Sequence, residues 1–226
     1  MTITKILKWS HILFGSIVLI LGLAQMILPK KGEVHRGIGK AYFILMILVF
    51  LTSFPQAILS HNWFLASVEL FALYLVLSSY CFSTKKTNLR ANIWDKLICF
   101  LWIFSGIFLI RLTIYFFIDG ANGFAFVSGI FGLMLLLNAF TDFKFPFMNA
   151  GLGQYGKMRW FFNHLSRMIT SYIVAKTAFL LNVQRFGSNV INWIFPTIVG
   201  TIFIITLSRF YEKKFTTTAG KVSRPI

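Results

Sequence analysis

Seven continuous runs of apolar residues divide the chain, and each is about 20 residues long, the length that a helix needs to cross a bilayer. The runs do not alternate apolar and polar residues, so they predict helices and exclude the strands of a membrane barrel. The predicted spans lie at about residues 7–28, 39–59, 64–83, 96–118, 122–141, 160–182 and 191–210. The pattern therefore predicts an all-α fold, a polytopic membrane helix bundle with seven transmembrane helices.

The sixth run differs from the others because polar and ionisable residues interrupt it. It carries Asn163, His164, Arg167, Ser171 and Lys176 among its apolar residues. An ionisable side chain in hydrocarbon costs about 2.5–3.5 kcal/mol on insertion scales, so such residues usually face the interior of a bundle. We therefore expect the other helices to surround this one.

The connections between the runs are short, and the longest covers residues 142–159. This connection is rich in Gly, Asn and Pro, so it is the candidate for a flexible lid. The segment after Glu212 is polar and basic, and we expect a mobile tail there. The predicted organisation is one transmembrane domain, residues 1–211, followed by a basic cytoplasmic tail, residues 212–226.

Composition and charge agree with a membrane protein. The chain is 57% hydrophobic and only 12% charged, whereas a soluble domain of this size needs more surface charge. The net charge of +16 lies largely in the short connections, which argues for membrane orientation and against nucleic-acid binding. Sixteen of the 22 Lys and Arg residues fall on one side and three on the other. The positive-inside rule then predicts an external N-terminus and a cytoplasmic C-terminus for a multi-pass membrane protein.

One group of polar residues is expected near the outer surface. His11, Gln56, Glu69, Arg111 and Lys176 fall at similar depths in five of the predicted spans. Because the third and fourth spans are sequential antiparallel neighbours, we expect Glu69 and Arg111 to form an ion pair. Two interpretations stay open. The five residues line an outer pocket of a small-solute transporter or channel, or Glu69 and Arg111 are a structural pair that holds the bundle together.

A second group is expected near the cytoplasmic surface. His35 and Arg36 stand just before the second span, and His164 and Arg167 lie in the first turns of the sixth. Three interpretations compete for these residues. The histidines bind loop carbonyls, or they ligate a metal ion or a b-type haem, or all four residues bind an anionic headgroup, quinone or substrate.

The metal interpretation needs more than two histidines, because a zinc site has at least three protein ligands. Asp95 and Asp142 are expected on the same side of the membrane, but their spacing alone does not recruit them. Gly37 and Gly39 are expected to permit close helix approach beside His35.

Four short motifs carry a resemblance to a known family. They are His35-Arg36-x-x-Gly39-Lys40-x-Tyr42, His164-Leu165-x-Arg167-Met168, Thr177-Ala178-Phe179 with Asn182, and Trp193-x-x-Pro196-Thr197-x-x-Gly200. In their order and spread over nearly the whole chain, they resemble the bacterial DUF2306 family of predicted multi-pass membrane proteins, a family of unknown function. The resemblance implies that His11, His35, His164 and Arg167 are motif positions. It supplies no substrate or cofactor, and Glu69, Arg111 and Lys176 are not part of the family pattern.

These features give three functional hypotheses. The leading one is a membrane protein that binds a redox cofactor, haem or metal, or a small ligand through His35, His164, Arg36 and Arg167. The alternatives are a transporter or channel that uses Glu69, Arg111 and Lys176, and a non-catalytic subunit of a membrane complex. The expected partners are the lipid bilayer and either a second copy or a larger membrane complex. No Ser-His-Asp arrangement, phosphate loop or His-Glu-x-x-His motif stands in the sequence, so a hydrolase is the least favoured class.

Overall fold

The computed structural model describes residues 3–30, 32–84, 93–147, 158–183 and 189–222. Seven α-helices account for nearly all of these residues, which confirms the predicted all-helical fold. They are α1 (Ile3–Ile27), α2 (Glu33–Leu59), α3 (Trp63–Thr84), α4 (Ile93–Ile118), α5 (Asn122–Phe147), α6 (Arg159–Val183) and α7 (Asn189–Val222). Each predicted span lies within one helix, apart from residue 28 at the end of the first.

Helix α3 is the most enclosed element of the bundle. It packs against α2, α4, α5 and α6, whereas α6 packs against α1, α3 and α7. Phe71, Tyr74 and Leu75 of α3 are fully or almost fully buried, and Trp102 of α4 and Leu135 of α5 lie in the same apolar cluster. The core is therefore organised around α3 together with α6, rather than around the sixth helix alone as the sequence predicted.

The bundle is apolar on its outside and carries polar side chains inside. Ile20, Phe104 and Phe195 are examples of large apolar side chains that are exposed, while Ser79 and Ser171 are fully buried. Hydrocarbon solvates the exposed apolar faces, and buried hydroxyls satisfy their hydrogen bonds within or between helices. This distribution is that of an integral membrane protein.

Helix α6 lacks the apolar composition of the other six helices. In the described part of the chain, six helices are long and apolar enough to cross a membrane, and α6 is not among them. Its interrupting polar residues lower its hydropathy, but many of its side chains are enclosed by neighbouring helices, including Leu165, Arg167 and Ser171. The expectation that other helices would cover the polar sixth helix is met at these positions, although Lys176 is exposed.

Helix α7 continues beyond the end of its predicted span. The segment from Glu212, expected to be a mobile tail, is helical to Val222. Phe215 packs edge-on against Phe161 and Phe162 at the start of α6, which ties this part of α7 to the bundle. The middle of the proposed lid, residues 148–157, lies outside the described residues.

Close helix approach occurs at Gly22 rather than at Gly37 or Gly39. A Cβ atom at Gly22 would lie 2.2 Å from Cδ2 of Tyr172, so α1 can approach α6 only because this side chain is absent. A Cβ atom at Gly37 would meet nothing within 4 Å, and one at Gly39 would make only an ordinary contact with Gln25. The expectation for Gly37 and Gly39 was wrong because the helix faces on which they lie are not the tightly packed ones.

Candidate functional site

A cavity of about 300 Å³ lies among α1, α2, α3 and α6. It is at the end of the bundle where α1 and α3 finish and α2 and α6 begin, which we name the basic end. Its walls combine basic and polar side chains with apolar ones. The polar and basic lining residues are Gln25, Lys30, His35, Arg36, Lys40, Tyr42, Tyr80, Ser83, His164 and Tyr172. The remaining lining residues are Gly22, Met26, Gly39, Phe161, Leu165, Met168 and Ile169.

Side-chain hydrogen bonds join the helices around this cavity. Gln25 of α1 donates from Nε2 to the carbonyl of His35 at the start of α2, at 2.8 Å. The hydroxyls of Tyr42 in α2 and Ser171 in α6 lie 3.0 Å apart, and both groups are buried. Because each contact joins residues on different helices, the walls of the cavity are fixed relative to one another.

His164 is held in one orientation by Ser79 of α3. Its Nδ1 lies 2.9 Å from the Ser79 hydroxyl and 3.1 Å from the Ser79 carbonyl oxygen, and that hydroxyl donates to the His164 carbonyl at 3.0 Å. A carbonyl oxygen only accepts hydrogen bonds, so the contact assigns the proton to Nδ1. In the neutral imidazole Nε2 then carries the lone pair, and it can accept a hydrogen bond or act as a ligand atom.

His35 lines the same cavity, and its side chain is the second imidazole there. Within the described residues, its buried Nδ1 atom has no hydrogen-bond partner. His35 and His164 lie close enough for their charges to interact, as the sequence predicted for two histidines at one depth. A buried polar atom without a partner is costly, so the His35 imidazole is a candidate to bind a ligand in this cavity.

Basic side chains surround the two histidines. Lys30 donates to the carbonyls of Gln25 and Met26 at the end of α1, the second at 3.1 Å, and burial lowers the pKa of its ammonium group. Arg36 and Lys40 are exposed at the mouth of the cavity. None of the described residues that line the cavity is acidic. The site is therefore suited to a negatively charged group.

Arg167 was predicted to join this site, but the structure places it elsewhere. Its guanidinium makes a bidentate ion pair with Asp142 of α5, one bond of which joins Nη1 to Oδ2 at 2.7 Å. The Tyr74 hydroxyl donates to the same Oδ2 at 2.5 Å, and the ring of Phe82 lies 4.7 Å from the guanidinium carbon. Arg167 is only 4% exposed, so its guanidinium binds Asp142 and does not reach the cavity.

The proposed outer pocket is not assembled as expected. Glu69 faces the Ser53 hydroxyl of α2, while Arg111 of α4 and Lys176 of α6 are exposed. The described residues contain no ion pair between Glu69 and either cation, because these cations lie on outward faces of their helices. His11 contacts the backbone of Val49. Gln56, the remaining member of the predicted group, donates within its own helix to the Thr52 carbonyl at 2.6 Å.

The hypothesis of a bound metal or haem can be tested against the ligating side chains that the structure brings together. Among the residues that the structure describes, no group of three or more His, Cys, Asp or Glu side chains is placed to hold a metal ion. The cavity of about 300 Å³ is at the lower limit of small-ligand pockets, about 300–1,000 Å³. Its volume and its donor set therefore suit a small ligand better than a metal ion.

Sequence reasoning found both histidines but missed the groups that hold them in place. Ser79 and Gln25 are ordinary residues of apolar helices, and only tertiary packing shows their roles. A signal for the buried ion pair did exist. Asp142 is one of only six acidic residues in the chain, and an acid at the end of one span pairs naturally with a cation in the next.

Comparisons with protein-family models, curated proteins and solved structures give no match for this chain. The resemblance to the DUF2306 family therefore stays a prediction. The fold and its apolar exterior define the class, an integral membrane protein built from a seven-helix bundle.

Proposed function

We propose that this protein binds a small amphiphile with an anionic head group in the cavity at the basic end. The observation that carries the proposal is the pair of imidazoles, His35 and His164, in a cavity whose described lining contains cations and no acid. Among the described residues, Nδ1 of His35 has no hydrogen-bond partner. His35, His164, Arg36 and Lys40 supply the contacts to the head group. Arg36 and Lys40 also attract an anion electrostatically to the mouth of the cavity.

The apolar part of the ligand is accommodated by the lining of α6 and α1. Met26, Leu165, Met168 and Ile169 provide an apolar wall beside the basic residues. Methionine side chains are flexible and adapt to irregular apolar shapes. A phospholipid, an isoprenoid phosphate or a fatty acid shares this chemistry, whereas an uncharged solute would leave the cations unused.

The location of the site in the cell belongs to the same proposal. The basic end carries the excess of Lys and Arg that marks the cytoplasmic side of bacterial inner-membrane proteins. A ligand of this kind would enter from the cytoplasmic leaflet, whose anionic lipids also favour a basic site.

Thermal unfolding of the detergent-solubilised protein tests the proposal. Short-chain phosphatidylglycerol should raise the melting temperature, because a ligand that binds only the folded state stabilises it. Short-chain phosphatidylcholine, with the same tails but no net charge, should raise it much less. Inorganic phosphate tests whether a free anion is sufficient. A shift with phosphate as large as that with phosphatidylglycerol would assign the site to a soluble anion and contradict the amphiphile proposal.

Variants of the two histidines locate the binding. A hydrogen bond to a charged group contributes about 1.5–3 kcal/mol, so His35→Ala should weaken phosphatidylglycerol binding by roughly ten-fold or more. His164→Ala should do the same. His61→Ala is the matched control, because His61 is exposed in the connection between α2 and α3. Equal binding by all three variants would show that the lipid does not occupy this cavity.

A further inference from the structure

One carboxyl group inside the bundle, that of Glu69, makes no ion pair with a cation in the part of the chain that the structure describes. Glu69 is in the second turn of α3, about 9 Å along the axis from Trp63 at a rise of 1.5 Å per residue. It is one of four acidic residues that stand inside or at the edge of a predicted span, with Asp95, Asp119 and Asp142. Asp142 has Arg167 as its counter-ion, and Asp119 is exposed beyond the end of α4. Glu69 has neither of these forms of compensation.

The charged groups on the neighbouring helices do not reach Glu69. Of the described cations on α4 and α6, Lys96 and Arg159 stand in the first turn of their helices at the basic end. Arg111 and Lys176 are exposed, and Arg167 is bound to Asp142. On α2, Glu33, Arg36 and Lys40 lie within the first turns at the basic end. On α5, Asp142 is the acid that binds Arg167, and Lys144 follows it near the same end of that helix. Ser53 of α2 is the polar group that faces Glu69.

In the observed rotamer, the hydroxyl of Ser53 points to a backbone carbonyl of its own helix. Ser53 donates from Oγ to the Val49 carbonyl at 2.8 Å, which leaves only lone pairs on its oxygen. A carboxylate also has only lone pairs, so a hydrogen bond between the two groups requires the hydrogen to come from Glu69. A charged carboxylate in hydrocarbon, without a cation or a donor, would be strongly disfavoured.

We infer that Glu69 is a membrane-embedded proton-binding site whose carboxyl group is protonated at neutral pH and donates to Ser53. The site continues toward α1, because His11 contacts the backbone of Val49, the residue that accepts from Ser53. Buried His11 Nδ1 has no hydrogen-bond partner within the described residues. A carboxyl and an imidazole thus stand on either side of Val49 and Ser53, and both can exchange a proton. This inference is independent of ligand binding at the basic end.

Carbodiimide labelling tests the site on the wild-type protein. Dicyclohexylcarbodiimide partitions into the membrane and reacts with protonated carboxyl groups: the carboxyl oxygen bonds to the central carbon, the proton moves to nitrogen, and the adduct rearranges to a stable N-acylurea. The folded protein is labelled at neutral pH and then digested, and peptide mass spectrometry should find the label on Glu69. Glu69→Gln should abolish the label, and Glu33→Gln should leave it unchanged, because Glu33 is exposed. No label on Glu69 in folded wild-type protein would overturn the inference.

Infrared spectroscopy measures the protonation state of Glu69 independently, without a reagent that must reach the site. A protonated carboxyl group absorbs in a carbonyl-stretch region separate from that of a carboxylate. The difference spectrum between wild type and Glu69→Gln should contain a protonated-carboxyl band at neutral pH. A carboxylate band in its place would show that Glu69 is ionised and would overturn the inference.

Discussion

The contrast between Arg167 and Arg111 shows how environment decides the role of one residue type. Both were predicted to contribute to polar sites within the spans. Arg167 is enclosed with Asp142, Tyr74 and Phe82, whereas Arg111 is exposed on α4. A guanidinium taken out of water must be paired, and Asp142 satisfies it with two parallel hydrogen bonds. An exposed arginine instead extends its stem toward the headgroups.

The first prediction concerns this buried pair. Arg167→Met should destabilise the detergent-solubilised protein by about 3–5 kcal/mol, because it leaves Asp142 uncompensated, and Asp142→Asn should have a similar effect. The double variant should recover much of the loss. Chemical unfolding followed by circular dichroism measures all three. Arg111→Met is the matched control and should change stability little.

Additive losses in the double variant would contradict this account, since they would show that Arg167 and Asp142 do not depend on one another. A large loss in Arg111→Met would indicate that the exposed arginine also has a structural partner.

At the scale of helices, the sequence predicted the elements well because each apolar run is long and bounded by polar or glycine-containing connections. It predicted less about their neighbours, since periodicity does not show which helices meet. The ion pair expected between Glu69 and Arg111 assumed that sequential spans turn these two positions toward each other. Although α3 and α4 do pack, Arg111 lies on the exposed face of α4.

The histidines of the candidate site were predicted correctly, whereas the position of Arg167 was not. His35 and His164 were placed together correctly because each lies near the first turn of its helix on the same side of the membrane. Arg167 lies three residues after His164, which rotates it about 60° around the helix axis at 3.6 residues per turn, and it faces α5 rather than the cavity. Rotation about a helix axis cannot be read from depth alone.

The second prediction tests close packing between α1 and α6. Gly22→Ala should destabilise the protein by about 1–3 kcal/mol, because the new Cβ atom would overlap the ring of Tyr172, 2.2 Å away. Gly15→Ala is the control on the same helix, since a Cβ atom there meets nothing within 4 Å. Thermal unfolding of both variants gives the comparison. Equal melting temperatures would mean that α1 and α6 are not in contact at Gly22.

For the whole molecule, the sequence predicts that all seven helices cross the membrane, which would place the two ends of the chain on opposite sides. In the described part of the chain, six of the helices are long and apolar enough to do so. The distribution of Lys and Arg predicts which side is which, with the basic end in the cytoplasm. Helix α6 carries polar residues, and α1, α3 and α7 pack against it within the bundle.

The third prediction concerns this orientation. Reporter fusions in the connection at residues 84–95 and after Ile226 should report a cytoplasmic location, and fusions at the N-terminus or at residues 184–190 should report the outside. A C-terminal reporter on the outside would contradict an odd number of spans. If the reporters on either side of α6 share one location, α6 does not cross the membrane.

Native mass spectrometry of the purified protein tests the central claim, ligand binding at the basic end, most directly. Released from detergent micelles, wild-type protein should retain a bound anionic amphiphile, identified by its mass after dissociation. His61→Ala should retain it equally, while His35→Ala should lose most of it. Wild-type protein free of any bound molecule after mild extraction and after addition of phosphatidylglycerol, or equal retention by His35→Ala, would contradict the account.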